Sequence, residues 1–251
     1  NINKNKERIL SLFNEAVQNG AGIIAFPELC ITSYTLGDLF RQKNVLEKSE
    51  KALKQLAEQT ADSGALVIVG MPVYAADKLY NCAVLFQSGR ILGAVPKAYI
   101  PNYSEYYEQR WFASGLGVSG ETIELAGQTA PFGSDLLFEC ENIKGLVLGV
   151  ELCEDLWVPL PPHAYQAMAG ATLLVSISAS NELAGKGEYR AEMIKHESGR
   201  YISGFVYVSC GPGESTTGGM QCLRKTGTYL KAPKGFRLSR TSALRNLILT
   251  G

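Results

Sequence analysis

A cysteine at position 153 closes the run Gly145-Leu-Val-Leu-Gly-Val150-Glu-Leu-Cys153, with Glu151, Glu154 and Asp155 crowding it. The run reads as a buried strand, so the thiol stands where that strand ends. Nearby negative charge raises a thiol's pKa, so electropositive surroundings do not activate this cysteine. A reaction at it needs a base to take its proton and a cation to offset the charge that develops. The chain offers both. Ile24-Ala-Phe-Pro-Glu-Leu29 puts Glu28 just past a second apolar run, and Lys97 follows a third, between Pro96 and Pro101. Strand ends are where open α/β sheets assemble their sites. Singly, each residue has an ordinary reading: a glutamate that begins a helix, a loop lysine, a core cysteine. Together they supply a base, a cation and a nucleophile.

The elements that must position them can be read from periodicity. Ile9, Leu12, Phe13, Ala16 and Val17 recur at helical spacing, and Gly20 sits where that helix would stop. Gly22-Ile-Ile-Ala-Phe26 reads as a strand halted by Pro27. A helical pattern over 45–61 is followed by the strand Ala65-Leu-Val-Ile-Val69. Strands near 80–87 and 91–95 flank the hairpin signal Ser88-Gly89-Arg90. Then come strand 145–152, a short helix near 163–170, strand 172–177, helix 188–202 and strand 204–208. Helices alternating with buried strands predict an α/β sandwich, and the hairpin makes its sheets mixed. No repeat or composition break divides residues 1–251, so one domain is expected. The tail from 218 is different: its first part could hold a strand pair, and the basic, weakly periodic stretch from Phe236 suggests no function.

Composition narrows the classes. The chain carries 24 basic and 24 acidic residues, which leaves no electrostatic footprint for nucleic acid or an anionic membrane. No apolar run approaches the roughly 20 residues that span a bilayer, and the polar start is no signal peptide. Six cysteines are scattered without a C-x-x-C pair, suggesting neither a zinc site nor a disulfide framework, and a cytoplasmic home is the simplest. His163 and His196 alone could serve a histidine-based site.

Gly115-Leu-Gly-Val-Ser-Gly120 spells G-x-G-x-x-G without a preceding strand or a following helix, so it reads as a loop. G-x-S-x-G, S-x-x-K, H-E-x-x-H and P-loop patterns do not occur, which disfavours serine hydrolases, zinc peptidases and P-loop NTPases. Asn102-Tyr-Ser104 is a glycosylation sequon with nothing beside it to indicate secretion.

Phe26-Pro-Glu-Leu29, the Lys97 segment and Cys153 resemble the Glu-Lys-Cys triad of the nitrilase (carbon–nitrogen hydrolase) superfamily. One branch is closer still. Ser33-Tyr-Thr-Leu-Gly-Asp-Leu-Phe40, the segment from Lys97 to Phe112, Cys153-Glu-Asp-Leu-Trp157 and Gly211-Pro-Gly-Glu-Ser-Thr-Thr217 resemble the glutaminase domain of glutamine-dependent NAD synthetases, over residues 4 to 217. The resemblance implies a four-layer α-β-β-α sandwich. It makes Glu28 the general base, Lys97 the oxyanion-stabilising cation, Cys153 the nucleophile and Glu108 an additional glutamate that positions the lysine. It places Tyr103, Glu154, Trp157, Ser180 and Lys186 around a glutamine pocket. The branch pattern suggests arginine at position 186, and lysine would lose the bidentate fork for a carboxylate.

The resemblance further implies that the glutaminase reaction needs no metal or cofactor. ATP and Mg belong to a C-terminal synthetase domain whose S-G-G-x-D-S phosphate loop is not found in these residues, nor is the family's first strand before the first helix. The expected partners are glutamine as substrate, the NAD synthetase domain and further copies in a homo-oligomer, with no nucleic acid and no membrane. Two other readings stand beside this one: a stand-alone amidase of the same superfamily acting on another small amide, and a catalytically silent α/β module used for docking or regulation.

Overall fold

A computed structural model describes residues 1–210, 228–231 and 238–241. Helix α1 (Ile2–Gln18) leads into strand β1 (Ala21–Ala25), and α2 (Lys43–Gln59) leads into β2 (Leu66–Ala75). The chain then runs antiparallel through β3 (Lys78–Gln87) and β4 (Arg90–Pro96). After a long loop come β5 (Glu121–Leu125), β6 (Gln128–Phe132), β7 (Leu137–Cys140) and β8 (Val147–Leu152). Helix α3 (Pro162–Met168), β9 (Leu173–Ser178), α4 (Lys186–Tyr201) and β10 (Gly204–Ser209) follow, with β11 (Thr228–Lys231) and β12 (Leu238–Thr241) in the tail.

The strands form a seven-stranded sheet, β11-β1-β2-β3-β4-β6-β5, and a five-stranded sheet, β10-β9-β8-β7-β12. Both are mixed. β1 and β2 run parallel, as do β8, β9 and β10, while β7 runs antiparallel to β8. The alternation of side chains explains why the strands read as unbroken apolar runs. Ile23, Ala25, Leu66, Ile68 and Leu85 face Phe138, Leu148, Val150, Val175 and Ile177 of the other sheet. The intervening Ile24, Val67, Val69, Val84 and Phe86 pack against Ile9 and Phe13 of α1 and Leu53 and Leu56 of α2. Both faces are covered, so neither parity needs polar residues. Helices α3 and α4 lie against the second sheet, where the His163 ring meets Phe205 edge-on at 5.3 Å. The result is the four-layer α-β-β-α sandwich of the nitrilase superfamily.

The differences from the sequence reading are local. Strands β5, β6 and β7 went unread because they are short and mix polar with apolar residues. Of the stretch 218–231, where a strand pair could lie, only 228–231 is among the described residues, and it forms β11, antiparallel to β1; β12 falls in the basic stretch from Phe236 and runs antiparallel to β7. Residues 115–120 form a loop, as read. The stretch 211–217 lies outside the described residues.

Candidate active site

Four strands end at one place. Glu28 follows β1, Lys97 follows β4, Cys153 follows β8, and Ala179 and Ser180 follow β9. The base and cation candidates thus come from one sheet and the thiol from the other. Gly70 of β2 makes the turn at Glu28 possible: a Cβ there would lie 2.2 Å from the Leu29 nitrogen and 2.6 Å from the Glu28 Cα. No side chain fits in that space.

Lys97 has no solvent exposure, and its ammonium donates to Glu28 Oε1 at 2.7 Å and to both Glu108 oxygens at 2.9 Å. Burial alone would discharge this lysine, but Glu108 and Glu28 outweigh it and hold its pKa well above the ordinary value. Glu108, equally buried, is itself raised by desolvation against the pull of Lys97, and it accepts from the Tyr34 hydroxyl at 2.8 Å. Glu28 Oε1 also accepts from the Asn81 amide at 2.7 Å, and Oε2 from the Ala179 N–H at 2.7 Å. The carboxylate is thereby fixed from both sheets.

Cys153 is 4% exposed and adopts φ 46°, a left-handed conformation uncommon for a residue with a Cβ. Such strain of order 1–3 kcal/mol persists only where the surroundings enforce it, and it clusters at reactive positions. Burial pushes the thiol well above its usual pKa and Glu28 adds to this, while Lys97 and the Ala179 N–H oppose it. At rest the group is a thiol, held so by burial and by Glu28, not by the three acids of its own segment.

The three neighbouring acids point to three different places. Glu154 accepts from the Tyr103 hydroxyl at 3.0 and 2.9 Å beside the thiol. Glu151 turns to the opposite side of β8, where Oε2 meets His163 Nδ1 at 2.9 Å. Asp155 folds back, and its carboxylate accepts three backbone N–H groups, from Leu152, Ala98 and Tyr99.

In front of the thiol lies a pocket of about 130 Å³ lined by Pro101, Tyr103, Tyr106, Cys153, Glu154, Trp157, Ser180 and Lys186. That volume is well below the roughly 300–1,000 Å³ of drug-sized sites, so the pocket suits a small molecule. It brings together all five residues expected to line a pocket. Lys186 Nζ sits 5.0 Å from the Trp157 ring centroid and donates to Asn181 Oδ1, and burial lowers its pKa. Trp157 stacks on Tyr189 at 6.1 Å. Sequence reasoning missed Asn81, Tyr34, Tyr106, the Ala179 N–H and the function of Asp155. A polar Asn81 inside the apolar run of β3 was the one legible sign; a backbone N–H has none. Among the described residues no cluster of His, Cys, Asp or Glu is placed to hold a metal ion, and no helix is long and apolar enough to cross a membrane.

Comparison with known proteins identifies the family and the fold. Residues 1–220 match the model of the carbon-nitrogen hydrolase family. The glutamine-dependent NAD(+) synthetase of Mycobacterium tuberculosis (strain ATCC 25618 / H37Rv) is 38% identical over 243 residues, which cover 94% of this chain and 36% of that protein. The likeness therefore runs past residue 217, where the sequence reading ended it. Among solved structures, a glutamine-dependent NAD(+) synthetase from Cytophaga hutchinsonii has a TM-score of 0.73 at 30% identity, covering 84% of this chain and 34% of that one. An amidase from Nesterenkonia sp. has a TM-score of 0.61 at 16% identity, covering 84% of this chain and 72% of that one, and shares the fold. This chain spans about a third of the length of the curated relatives it matches, from 28% to 39%, and 36% for the mycobacterial one.

Proposed function

The chain belongs to the carbon–nitrogen hydrolase family, and from that premise we propose that it is a glutaminase, hydrolysing the side-chain amide of glutamine to supply ammonia to an NAD synthetase domain. The observation that carries the reading is the pocket itself, in which Cys153 shares about 130 Å³ with Tyr103, Glu154, Trp157, Ser180 and Lys186. A carboxylate and an ammonium at the walls of an amino-acid-sized pocket complement the two charges of an amino acid. Glu154 takes the substrate's α-ammonium, and Lys186, backed by Trp157, takes its carboxylate.

The chemistry follows from the neutral resting thiol. Cys153 Sγ attacks the amide carbon as Glu28 takes the thiol proton, so no standing thiolate is required. The oxyanion forms beside Lys97 and the N–H of Glu154, and losing one such donor typically costs on the order of 10²–10³ in rate. Glu28 passes its proton to the nitrogen, the C–N bond breaks, and ammonia leaves a γ-glutamyl thioester on Cys153. Glu28 then takes a proton from water, whose oxygen attacks the thioester; glutamate departs and the proton returns to sulfur. The reaction needs neither metal nor cofactor, and ATP and Mg belong to the synthetase step. A homo-oligomer in the cytoplasm, channelling ammonia between domains, completes the proposal.

Ammonia release from glutamine and from asparagine, measured for this chain and for Cys153→Ala, tests it. Release from glutamine that disappears in the variant is expected. Equal release from asparagine would move the assignment to a broader amidase, and release that survives in Cys153→Ala would remove the cysteine from the mechanism.

A further inference from the structure

The residues assigned to chemistry come from two sheets joined by an apolar interface, which gives cohesion but no direction. A nucleophile and a cation placed on opposite sides of such a joint need a directional link to keep register within the few tenths of an ångström that oxyanion stabilisation demands. Asp155 has the geometry of that link. Its Oδ2 accepts from the N–H of Leu152, the residue before Cys153, at 3.1 Å, and from the N–H of Ala98, the residue after Lys97, at 3.3 Å. Its Oδ1 accepts from the Tyr99 N–H at 2.8 Å. One carboxylate group therefore holds the end of β8 and the end of β4.

We propose that Asp155 is a positioning residue that fixes Lys97 relative to Cys153 across the two sheets, and so sets the oxyanion geometry without touching substrate. Three features agree with this. Asp155 is 1% exposed, so its bonds do not compete with water. The backbone of Lys97 is held from the other side, its N–H donating to the Asn81 carbonyl at 2.8 Å and its carbonyl accepting from Gly115 at 2.8 Å. Position 153 itself is in the left-handed region, a conformation that its neighbours must enforce. Burial, with Glu151, raises the Asp155 pKa to about 8, while the Tyr99 and Leu152 N–H groups pull it down; an amide in its place has one acceptor oxygen, with its NH2 facing a donor.

The inference rests on the assignment of Lys97 and Cys153 above, but not on glutamine as the substrate, and the test uses that independence. Two reagents report on Cys153 separately. Sulfur displaces iodide directly from iodoacetamide, forming the S–C bond as the thiol proton passes to Glu28, with no oxyanion. p-Nitrophenyl acetate acylates the same sulfur through a tetrahedral oxyanion, releasing p-nitrophenolate as the thiol proton passes to Glu28. Both rates are taken for the wild-type chain, Asp155→Asn and Asp155→Glu, with Cys153→Ala subtracting the other cysteines.

The expected result is acylation slowed on the order of 10- to 100-fold in both Asp155 variants, with alkylation within about threefold of wild type. Glutamine turnover falls in step, in kcat and not in KM. Wild-type acylation in either variant overturns the proposal, as does a parallel loss of acylation and alkylation, which marks a merely structural residue. Failure of both variants to fold assigns Asp155 to stability alone and overturns it too. A wild-type chain that is acylated at Cys153 but inert to glutamine defeats the substrate assignment and leaves the Asp155 comparison readable.

Discussion

The protein buries two groups of the same formula, each a cation between two carboxylates. Lys97 lies with Glu28 and Glu108 where the strands end, and His163 lies with Glu151 and Glu197 behind β8, beneath α3 and α4. The bonds differ in quality. Lys97 makes contacts of 2.7 and 2.9 Å with carboxylates that have no side-chain exposure, whereas His163 Nε2 reaches Glu197 at 3.4 Å and Glu197 keeps 15% of its side-chain exposure. They differ more in what their charge can do. The lysine stays cationic throughout the physiological range, a fixed charge at the strand ends near the thiol. The histidine, its pKa raised by Glu151 and Glu197 against burial, joins α3 to β8 and α4. The same arrangement of a cation and two carboxylates thus occurs once at the strand ends, where the proposed chemistry lies, and once where two helices meet a strand.

The sharpest way to break this contrast is Lys97→Met. Two buried carboxylates would lose their shared counter-ion, at a cost of about 3–5 kcal/mol of stability in urea unfolding. Glutamine turnover should fall on the order of 10²–10³-fold. Near-normal turnover would remove Lys97 from the oxyanion site. Glu108→Gln is milder, because the amide keeps the shape and one acceptor for Tyr34 or Lys97. Losing a hydrogen bond to a charged group costs about 1.5–3 kcal/mol, so kcat should drop roughly 10- to 100-fold with KM little changed. An effect confined to KM would instead place Glu108 in substrate binding. Tyr34→Phe deletes one neutral donor to Glu108, and a loss of about 0.5–1.5 kcal/mol, a few-fold in kcat, should follow. A loss as large as that of Glu108→Gln would give the tyrosine a larger part than its hydrogen bond to Glu108 explains.

His163→Gln tests the other half, and its effect on turnover should be the smallest, within about threefold. Its signature is in stability against pH. Burial lowers the histidine's pKa, but Glu151 and Glu197 overcome this and raise it above the ordinary value of 6.5. A raised folded pKa stabilises fully below the unfolded value and loses that contribution as pH rises through the folded one. Melting temperature should therefore decline from pH 6 towards alkaline pH more steeply in wild type than in His163→Gln. Parallel curves for the two proteins would show that His163 contributes no such linkage, and a collapse of kcat in the variant would erase the distinction between the two clusters.

How legible each part was follows from its chemistry. The core strands announced themselves because both faces are covered and apolar residues fill both parities, as in Ala65-Leu-Val-Ile-Val69. Glu28, Lys97 and Cys153 were visible as reactive types placed at strand ends. Glu108 and the pocket residues came only through resemblance, since a loop glutamate and scattered aromatics carry no periodic signal. Asp155 was visible as one of three acids near the thiol, but its task depends on which N–H groups the fold delivers to it, and spacing does not encode that. The same holds for Ala179, which acts through its backbone. Strands β5 to β7 were hidden by polar residues such as Glu121, Thr122 and Glu139, exposed on their open faces.

The hydrogen bond from Ala179 to Glu28 joins positions 151 residues apart in the chain. A ribosome makes Glu28 before Ala179, so until residue 179 has emerged the carboxylate lacks the N–H that holds it from the second sheet. Long-range closures of this kind form slowly and depend on the docking of whole sheets. The setting of Cys153 therefore depends on both sheets being docked, and a chain that lacks the second sheet carries an ordinary glutamate at position 28. Turnover then doubles as a certificate of completed assembly.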